Sequence, residues 1–309
     1  MSQPTRSESL VQRVRNHFLF ENIREGLRLF LSDRLTAVFL GVLVVLVFLA
    51  AFGPALAPYE YDTVQRSESG EMLRLEQPSA DHLLGTTNRG HDVLSRVLYG
   101  AQPTLMTGFL GGLIIVSIGL IIGVTAGYFG GRVDSLLMRI TDFAYGVPLI
   151  PTAIVVVAYF GIGFWSSILI IGFLLWRGNA RVFRSQVLQI RERPFILSAK
   201  ATGASTPRII VKHILPNVAP MAIMFFALGI GYSILLQAGL SFIGVSNPLV
   251  PSWGIMIRNA YSSGQMTTAW WWSIPPGVMI SLTVLSTIMF GRRYEEIALG
   301  TDEEATASV

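Results

Sequence analysis

The sequence contains no cysteine and few charged residues. Without cysteine the chain can form no disulfide framework, no thiolate metal site and no cysteine nucleophile. Asp, Glu, Lys and Arg make up 14% of the 309 residues, whereas a soluble domain carries about 25%. Hydrophobic residues make up 51%, more than an ordinary globular fold of this size needs in its core. This composition excludes a disordered or low-complexity chain and indicates an integral membrane protein.

The scarcity of charge leaves five uncharged runs of 25 to 44 residues. Each run is long enough to cross a bilayer, which takes about 20 helical residues. The run that begins at Phe143 is too long for one crossing, and Gly-Ile-Gly at 161–163 predicts a hairpin that divides it. The sequence therefore predicts an all-α integral membrane protein with six transmembrane helices. Their predicted limits are 35–57, 104–127, 137–160, 164–183, 216–240 and 271–290.

Basic residues indicate which side of the membrane holds the termini. Six spans put both termini on one side, and that side carries 18 of the 23 Lys and Arg residues. Cytoplasmic segments are enriched in Lys and Arg, so both termini are predicted to be cytoplasmic. The net charge of +4 then reflects topology and not nucleic-acid binding. Trp270, Trp271 and Trp272 are interpreted as an anchor belt at the outer interface.

These counts predict the organisation of the chain. The N-terminal segment 1–34 is cytoplasmic and is either an interfacial helix, centred on 10–31, or a flexible basic tail. The first transmembrane helix covers 35–57, and an extracytoplasmic loop covers 58–100. A core of five transmembrane helices (101–292) includes a cytoplasmic loop at 191–213, and a cytoplasmic tail covers 293–309.

The chain lacks the residues that an enzyme needs. Its only two lysines, Lys200 and Lys212, fit no phosphate-binding loop, which excludes ATP hydrolysis by that machinery. His82 and His91 in the outer loop match no compact metal-site spacing. We assign no catalytic, cofactor-binding or metal-binding residue, and we predict that the chain is not an enzyme.

The predicted spans also hold almost no ionisable residues. Arg139 and Asp142, three residues apart at an inner helix end, are interpreted as a local ion pair. Proton- and ion-coupled transporters usually keep ionisable groups inside the helix bundle. A secondary transporter acting alone is therefore disfavoured, and a transporter of this composition would take its energy from another chain.

The loop at 191–213 is predicted to project a helix–turn–helix into the cytoplasm. Pro194 is placed to begin a short helix, and Gly203 is placed to end it with a positive φ. A second helix is predicted over Pro207–Leu215, and Pro216 is expected to break the chain before the fifth span. A helix of about nine residues is marginal in water and must pack on a surface. The alternative is an ordinary connecting loop.

This loop resembles the EAA motif of binding-protein-dependent ABC importer permeases. That motif reads E-A-A-x-x-x-G and is followed about a dozen residues later by L-P, which correspond here to Leu197–Gly203 and Leu215-Pro216. Stretches at 81–101 and 127–148 resemble the dipeptide/oligopeptide permease family, and the resemblance covers most of 35–290. The position of the motifs resembles the C-type subunit of the permease pair. Further matching residues are Gly239-Leu240-Ser241-Phe242-Ile243-Gly244 and Pro251-Ser252-Trp253-Gly254.

The resemblance implies a type I ABC importer permease fold with a cytoplasmic coupling helix. It implies a multi-pass subunit of the cytoplasmic membrane that forms half of the translocation path for peptides or similar small solutes. The implied partners are a second, homologous permease, two ABC ATPases that bind ATP and Mg, an extracytoplasmic substrate-binding protein and membrane lipid. The residues implied in ATPase docking are Phe195, Ile196, Leu197, Ser198, Ala199, Lys200, Gly203, Arg208, Leu215 and Pro216.

The sequence departs from the family pattern at several positions. Leu197 stands where the motif has an acidic residue, Ser198 where it has alanine, and Gln237 where relatives carry an acidic residue. Docking of the coupling helix is therefore expected to depend mainly on packing, with Phe195, Ile196 and Ala199 as apolar contacts and Lys200 and Arg208 as polar ones. The alternatives are a stand-alone channel or secondary transporter, a membrane scaffold, or an importer subunit for a metal chelate or sugar.

Overall fold

The computed structural model describes residues 30–161 and 163–299. Almost all of the segment 10–31 and the acidic residues 302–304 lie outside the described residues. The described chain is helical apart from short connections and one longer loop at 57–92. Within that loop the backbone forms isolated antiparallel bridges between Val64 and His91, Arg66 and Met72, and Thr86 and Asp92.

The helices follow one another in a simple order. They are α1 (Arg34–Leu56), α2 (Val93–Phe129), α3 (Gly131–Gly146), α4 (Leu149–Phe160), α5 (Phe164–Arg191), α6 (Pro194–Ala201), α7 (Thr206–Ile209), a π-helix (Ile210–Ile214), α8 (Leu215–Phe242), α9 (Trp253–Ser262) and α10 (Trp270–Leu299). The all-α prediction is confirmed for the described residues. The helix α2 begins at Val93, inside the segment that the sequence assigned to the outer loop.

Aspartate side chains cap the N-termini of the first two long helices. The carboxylate of Asp33 accepts hydrogen bonds from the backbone N–H of Leu35 and Thr36. The hydrogen bonds from Thr36 hold the pKa of Asp33 below its usual value. The carboxylate of Asp92 accepts the backbone N–H of Ser95 at 2.7 Å and so caps α2. Both caps satisfy donors that a helix start leaves without partners.

Fewer than six of the described helices are, by length and composition, apolar enough to cross a membrane. Four described segments are long and apolar enough to cross a membrane: α1, α2, the continuous stretch 206–242, and α10. The pair α3 and α4 gives a fifth when it is counted as one bent span. The helix α5 has 28 residues, but its apolar run ends at Trp176, where three arginines follow at 177, 181 and 184.

The predicted third span, 137–160, is not one continuous helix. The axes of α3 and α4 differ by 86° at the break around Val147 and Pro148. Proline disfavours a helical conformation in the residue before it, and Val147 is accordingly extended, with a ψ of 116°. The predicted division of the long apolar run is confirmed, because α4 ends at Phe160 and α5 begins at Phe164.

Glycines allow α2 to pack closely against α5 and α8. A Cβ atom at Gly112 would lie 2.8 Å from the backbone nitrogen of Ile230, and one at Gly123 would lie 2.6 Å from the carbonyl oxygen of Ala180. Both distances are too short for any side chain. Small residues are the means by which membrane helices approach one another closely.

Two buried tryptophans form hydrogen bonds near the outer loop. The indole N–H of Trp271 donates to the carbonyl of Thr86 at 3.2 Å and holds the loop against α10. The indole N–H of Trp253 donates to the carbonyl of Val97 at 2.9 Å and joins α9 to α2. Trp271 and Trp272 are buried, and only Trp270 of the three is exposed. The predicted anchor belt is therefore wrong for Trp271 and Trp272, which pack in the core beneath the loop.

Candidate functional site: the coupling segment and the arginine face of α5

The coupling segment, residues 191–215, contains the helix that the sequence predicted. Pro194 stands in the first turn of α6, where its missing N–H costs nothing. Beyond its end, the N–H of Gly203 donates to the carbonyl of Lys200, and that of Ala204 to the carbonyl of Ala199, each at 3.0 Å. This is the Schellman arrangement, and it requires a left-handed residue. Gly203 has a φ of +82°, as predicted.

One face of α6 packs against other helices of the same chain and is sealed from solvent. The Ile196 side chain is fully buried. It belongs to an apolar cluster drawn from α2, α5, α7, the π-helix and α8, whose other buried members are Val124, Val187, Ile190, Ile209, Ile214 and Val218. Ala199, one turn further along, packs against the same cluster. The expectation that Ile196 contacts a partner is therefore wrong, because this side chain is enclosed by its own chain.

The other face of α6 is open. Phe195 is 39% exposed and Leu197 is 49% exposed, and Ser198, Lys200 and Arg208 are exposed as well. The Phe195 ring lies 6.2 Å from the His213 ring. The Lys200 ammonium lies 5.6 Å from the centre of the Tyr128 ring, within cation–π range. The coupling segment thus presents apolar and basic side chains outwards, among them Phe195, Leu197, Lys200 and Arg208.

The second helix of the segment differs from its prediction. Thr206–Ile209 is α-helical, and Ile210–Ile214 forms one π-helical turn, in which the N–H of Leu215 donates to the carbonyl of Ile210. The chain then runs on into α8, so Pro216 does not break it. Pro216 lies in the first turn of α8, a position that tolerates proline. Leu215 is half-buried against the Ile196 cluster, and Pro216 is exposed.

Arginines of α5 tie this segment to its neighbours. An Nη of Arg191 donates to the carbonyl of Gly127 at 2.9 Å, where α2 ends. Arg184 pairs with both carboxylate oxygens of Asp134 on α3. Such bidentate pairs fix geometry as well as charge. The sequence analysis identified no partner for Arg184 or Arg191, because both contacts join residues distant in the sequence.

Two further arginines contact the end of α3. Arg177 donates to the carbonyl of Ala144 at 2.5 Å, and Arg181 pairs with Asp142 at 2.5 Å. The Tyr145 ring lies beside both guanidinium groups, at 4.9 Å from Arg177 and 4.2 Å from Arg181. The predicted pair between Arg139 and Asp142 is therefore wrong, because Asp142 bonds across helices to α5.

Gln237, the second departure from the family pattern, lies in a buried polar cluster near the outer end of α8. Its Nε2 donates to Ser241 Oγ at 3.1 Å and to Ser252 Oγ at 3.3 Å. Ser252 caps α9 by accepting the N–H of Ile255. A neutral amide can bridge these two hydroxyl groups without placing a charge in the core.

In the outer loop, His82 and Asp92 are both buried and lie 2.9 Å apart. His91 Nδ1 lies 2.8 Å from an Nη of Arg96. Burial, reinforced by the charges of Arg96 and Arg89, lowers the pKa of His91 to about 4. This histidine is therefore neutral near pH 7 and accepts a hydrogen bond from Arg96.

The described residues form a bundle of apolar, membrane-spanning helices with a helix–turn–helix that packs on the bundle through one face and is exposed on the other. This architecture defines the class as a multi-pass membrane protein. Residues 119–295 match the family described as binding-protein-dependent transport system inner membrane component. Residues 22–78 match the N-terminal transmembrane domain of oligopeptide transport permease C. The chain belongs to the family of binding-protein-dependent transport system inner membrane components.

Curated relatives agree with this assignment. The dipeptide transport system permease protein DppC of Bacillus subtilis (strain 168) is 36% identical over 262 residues, which cover 84% of this chain and 80% of that protein. The glutathione transport system permease protein GsiD of Pectobacterium atrosepticum is 35% identical over 273 residues, 87% of each chain. The oligopeptide transport system permease protein OppC of Bacillus subtilis (strain 168) is 31% identical over 235 residues, 75% of each.

A solved structure has the same fold. A chain of the MetNI methionine ABC transporter, in an inward-facing conformation, matches with a TM-score of 0.54 at 18% identity. The match covers 65% of this chain and 95% of that chain. It confirms the predicted type I importer permease fold, and the membrane-spanning helices make the chain a multi-pass membrane protein.

Proposed function

We propose that this chain is the C-type permease subunit of a peptide importer and that the open face of α6 docks on an ABC ATPase. The observation that carries the proposal is the division of α6 into a face sealed by Ile196 and a face that exposes Phe195, Leu197 and Lys200. An exposed apolar pair rimmed by basic residues is typical of a surface that a partner covers.

The packing behind α6 suggests how docking would be transmitted. The Ile196 cluster joins α6 to the cytoplasmic ends of α2, α5 and α8. Displacement of α6 by closing ATPases would therefore move these three helices together, as a rigid body. The complex would contain a second, homologous permease, two ATPases that bind ATP and Mg, and an extracytoplasmic binding protein. This chain would supply no cofactor site.

The solute and the orientation are part of the same proposal. The relatives named for dipeptide, oligopeptide and glutathione transport favour peptides, and a metal chelate or a sugar is the alternative within the family. The excess of Lys and Arg on one side favours cytoplasmic termini. The cytoplasmic membrane would then hold α6 on the side where ATP is available.

Purification of the tagged chain from native membranes in mild detergent tests the assembly. We expect two ATPases, a second permease and, after reconstitution, peptide uptake that needs ATP and the binding protein. Phe195→Asp should abolish ATPase recovery, because it puts a charge in an apolar contact. The matched control is Val211→Asp, which changes an exposed apolar residue of the adjacent π-helix. Uptake by the chain alone without ATP would instead establish a stand-alone channel or carrier.

A further inference from the structure

The cytoplasmic half of α5 places three arginines towards α3, and one of them differs from the others. Arg184 is paired with both oxygens of Asp134. Arg177 donates to two carbonyl groups at the end of α3, those of Ala144 and Val147. These two guanidinium groups therefore have clear structural roles: one clamps α3 to α5, and the other satisfies carbonyls at the bend.

Arg181 is held much more loosely. Its described hydrogen bonding is a single contact, from Nη2 to one oxygen of Asp142 at 2.5 Å. The side chains of both partners are open, at 49% for Arg181 and 62% for Asp142. A guanidinium group has five N–H donors. Most donors of Arg181 are thus available to a ligand, while its stacking on Tyr145 at 4.2 Å fixes the plane of the group.

Arg181 lines a cavity of about 540 Å³ between α2, α3, α5 and α8. Asn179, Tyr145 and Tyr232 supply further polar groups, and Gly178 leaves the space beside the Tyr145 hydroxyl open. The rest of the wall is apolar and is formed by Ile115, Leu175, Val182, Phe225 and Leu228. An apolar cavity of this size with a few polar groups at one place is the usual form of a small-molecule site.

The position of Arg181 supports the same interpretation. Arg181 follows the apolar run of α5, which ends at Trp176, and it lines the cavity beside apolar residues of α2 and α8. The half-exposed pair of Arg181 and Asp142 therefore lies where the apolar wall of the cavity meets its polar groups.

We propose that this cavity binds a carboxylate of the transported solute, with Arg181 as the group that recognises it. The inference rests on the proposed import of peptides, since a peptide carries a terminal carboxylate. Asp142 holds Arg181 when the cavity is empty and competes with the solute for the guanidinium group. The apolar wall accommodates the remainder of a short peptide, and Asn179 and Tyr145 offer neutral hydrogen-bonding groups.

Binding and uptake of Ala-Phe and of its C-terminal amide test the proposal. The complex is titrated with both by equilibrium dialysis, without the binding protein, and uptake is then measured in proteoliposomes with it. Arg181→Gln should weaken binding of the acid about tenfold, as expected for the loss of a hydrogen bond to a charged group. Binding of the amide should change by less than about twofold. Arg181→Lys should keep part of the acid preference, and Asp142→Asn should strengthen binding of the acid.

Arg132→Gln is the matched control, because it removes a positive charge from the exposed start of α3, outside the cavity. This variant should bind the acid and the amide as tightly as the unmodified complex does. Equal loss of acid and amide in Arg181→Gln, or weaker acid binding in Asp142→Asn, would overturn the carboxylate site even if peptides are imported. Acid-selective binding that Arg181→Gln abolishes, in a complex that imports no peptide, would support the site and reject peptide import.

Discussion

At the scale of single residues, two neighbouring positions of α6 have opposite environments. Ile196 is enclosed by the chain's own core, whereas Leu197 is half exposed. Consecutive residues of a helix point about 100° apart, so an apolar pair at its edge is divided between core and surface. Sequence reasoning grouped both as docking residues, because their hydrophobicity is the same and only the position of the helix separates them.

Alanine substitutions should distinguish the two residues. Ile196→Ala should destabilise the purified subunit by about 3 kcal/mol, since it opens a cavity in a closed cluster. Leu197→Ala should change stability by less than about 0.5 kcal/mol and weaken ATPase binding instead. Unfolding in detergent measures the change in stability, and titration with the ATPase measures the change in binding. If Leu197→Ala were the more destabilising variant, the assignment of the sealed and open faces would be wrong.

Gly203 allows a second test at this scale. With a φ of +82° and open space around its Cβ position, Gly203→Val would incur backbone strain without a clash, of about 1–2 kcal/mol. We expect ATP hydrolysis to continue with reduced transport, because the end of α6 would be displaced.

Gly264→Val is the control for Gly203→Val. Gly264 has a φ of +71° and an equally open Cβ position, but it follows α9, outside the coupling segment. It should lower thermal stability by a similar amount and leave the ratio of transport to hydrolysis unchanged. A lower ratio of transport to hydrolysis in both variants would show that general backbone strain, and not displacement of the coupling helix, reduces transport.

The limits of a secondary-structure element could be predicted where a single local signal in the sequence determines them. The start of α6 follows from Pro194, its end from Gly203, and the limits of α1 from an uncharged run. Pro148 is a local signal for the bend at Val147, and the prediction of one continuous span overlooked it. The bonds of Arg177 and Arg181 to α3 could not be predicted, because they join residues more than 30 positions apart.

The outer loop should loosen on acidification. His91 has a pKa of about 4 in the folded loop, below the ordinary value of about 6.5. The unfolded loop therefore binds a proton more readily than the folded one. This contribution to stability is fully present above about pH 6.5 and is lost as the pH falls towards 4. Hydrogen exchange of 60–92, corrected for intrinsic rates, should be faster at pH 5 than at pH 7.5.

His91→Gln is the control, because glutamine cannot be protonated in this range. The variant should show the same corrected exchange at both pH values. A loop that opens equally on acidification in both proteins would show that a group other than His91 causes the effect.

At the scale of the whole molecule, α2 is the element around which the others pack. Its outer end carries the loop that Trp271 fastens to α10, its middle packs on α5 and α8 through glycines, and its inner end contributes Val124 to the cluster beneath α6. A displacement of the coupling segment can thus reach the outer face through one continuous helix. The glycines permit this arrangement, because a side chain at these positions would keep α2 apart from α5 and α8.

Gly112→Leu tests whether this contact holds the bundle together. The backbone nitrogen of Ile230 would lie 2.8 Å from the new Cβ atom, so α2 and α8 must separate, and we expect a loss of about 3 kcal/mol. Gly41→Leu on α1, where nothing lies within 4 Å of the Cβ position, should leave the melting temperature unchanged. If Gly112→Leu lowered transport without lowering stability, the glycines would act by allowing α2 and α8 to slide, and not by holding them in place.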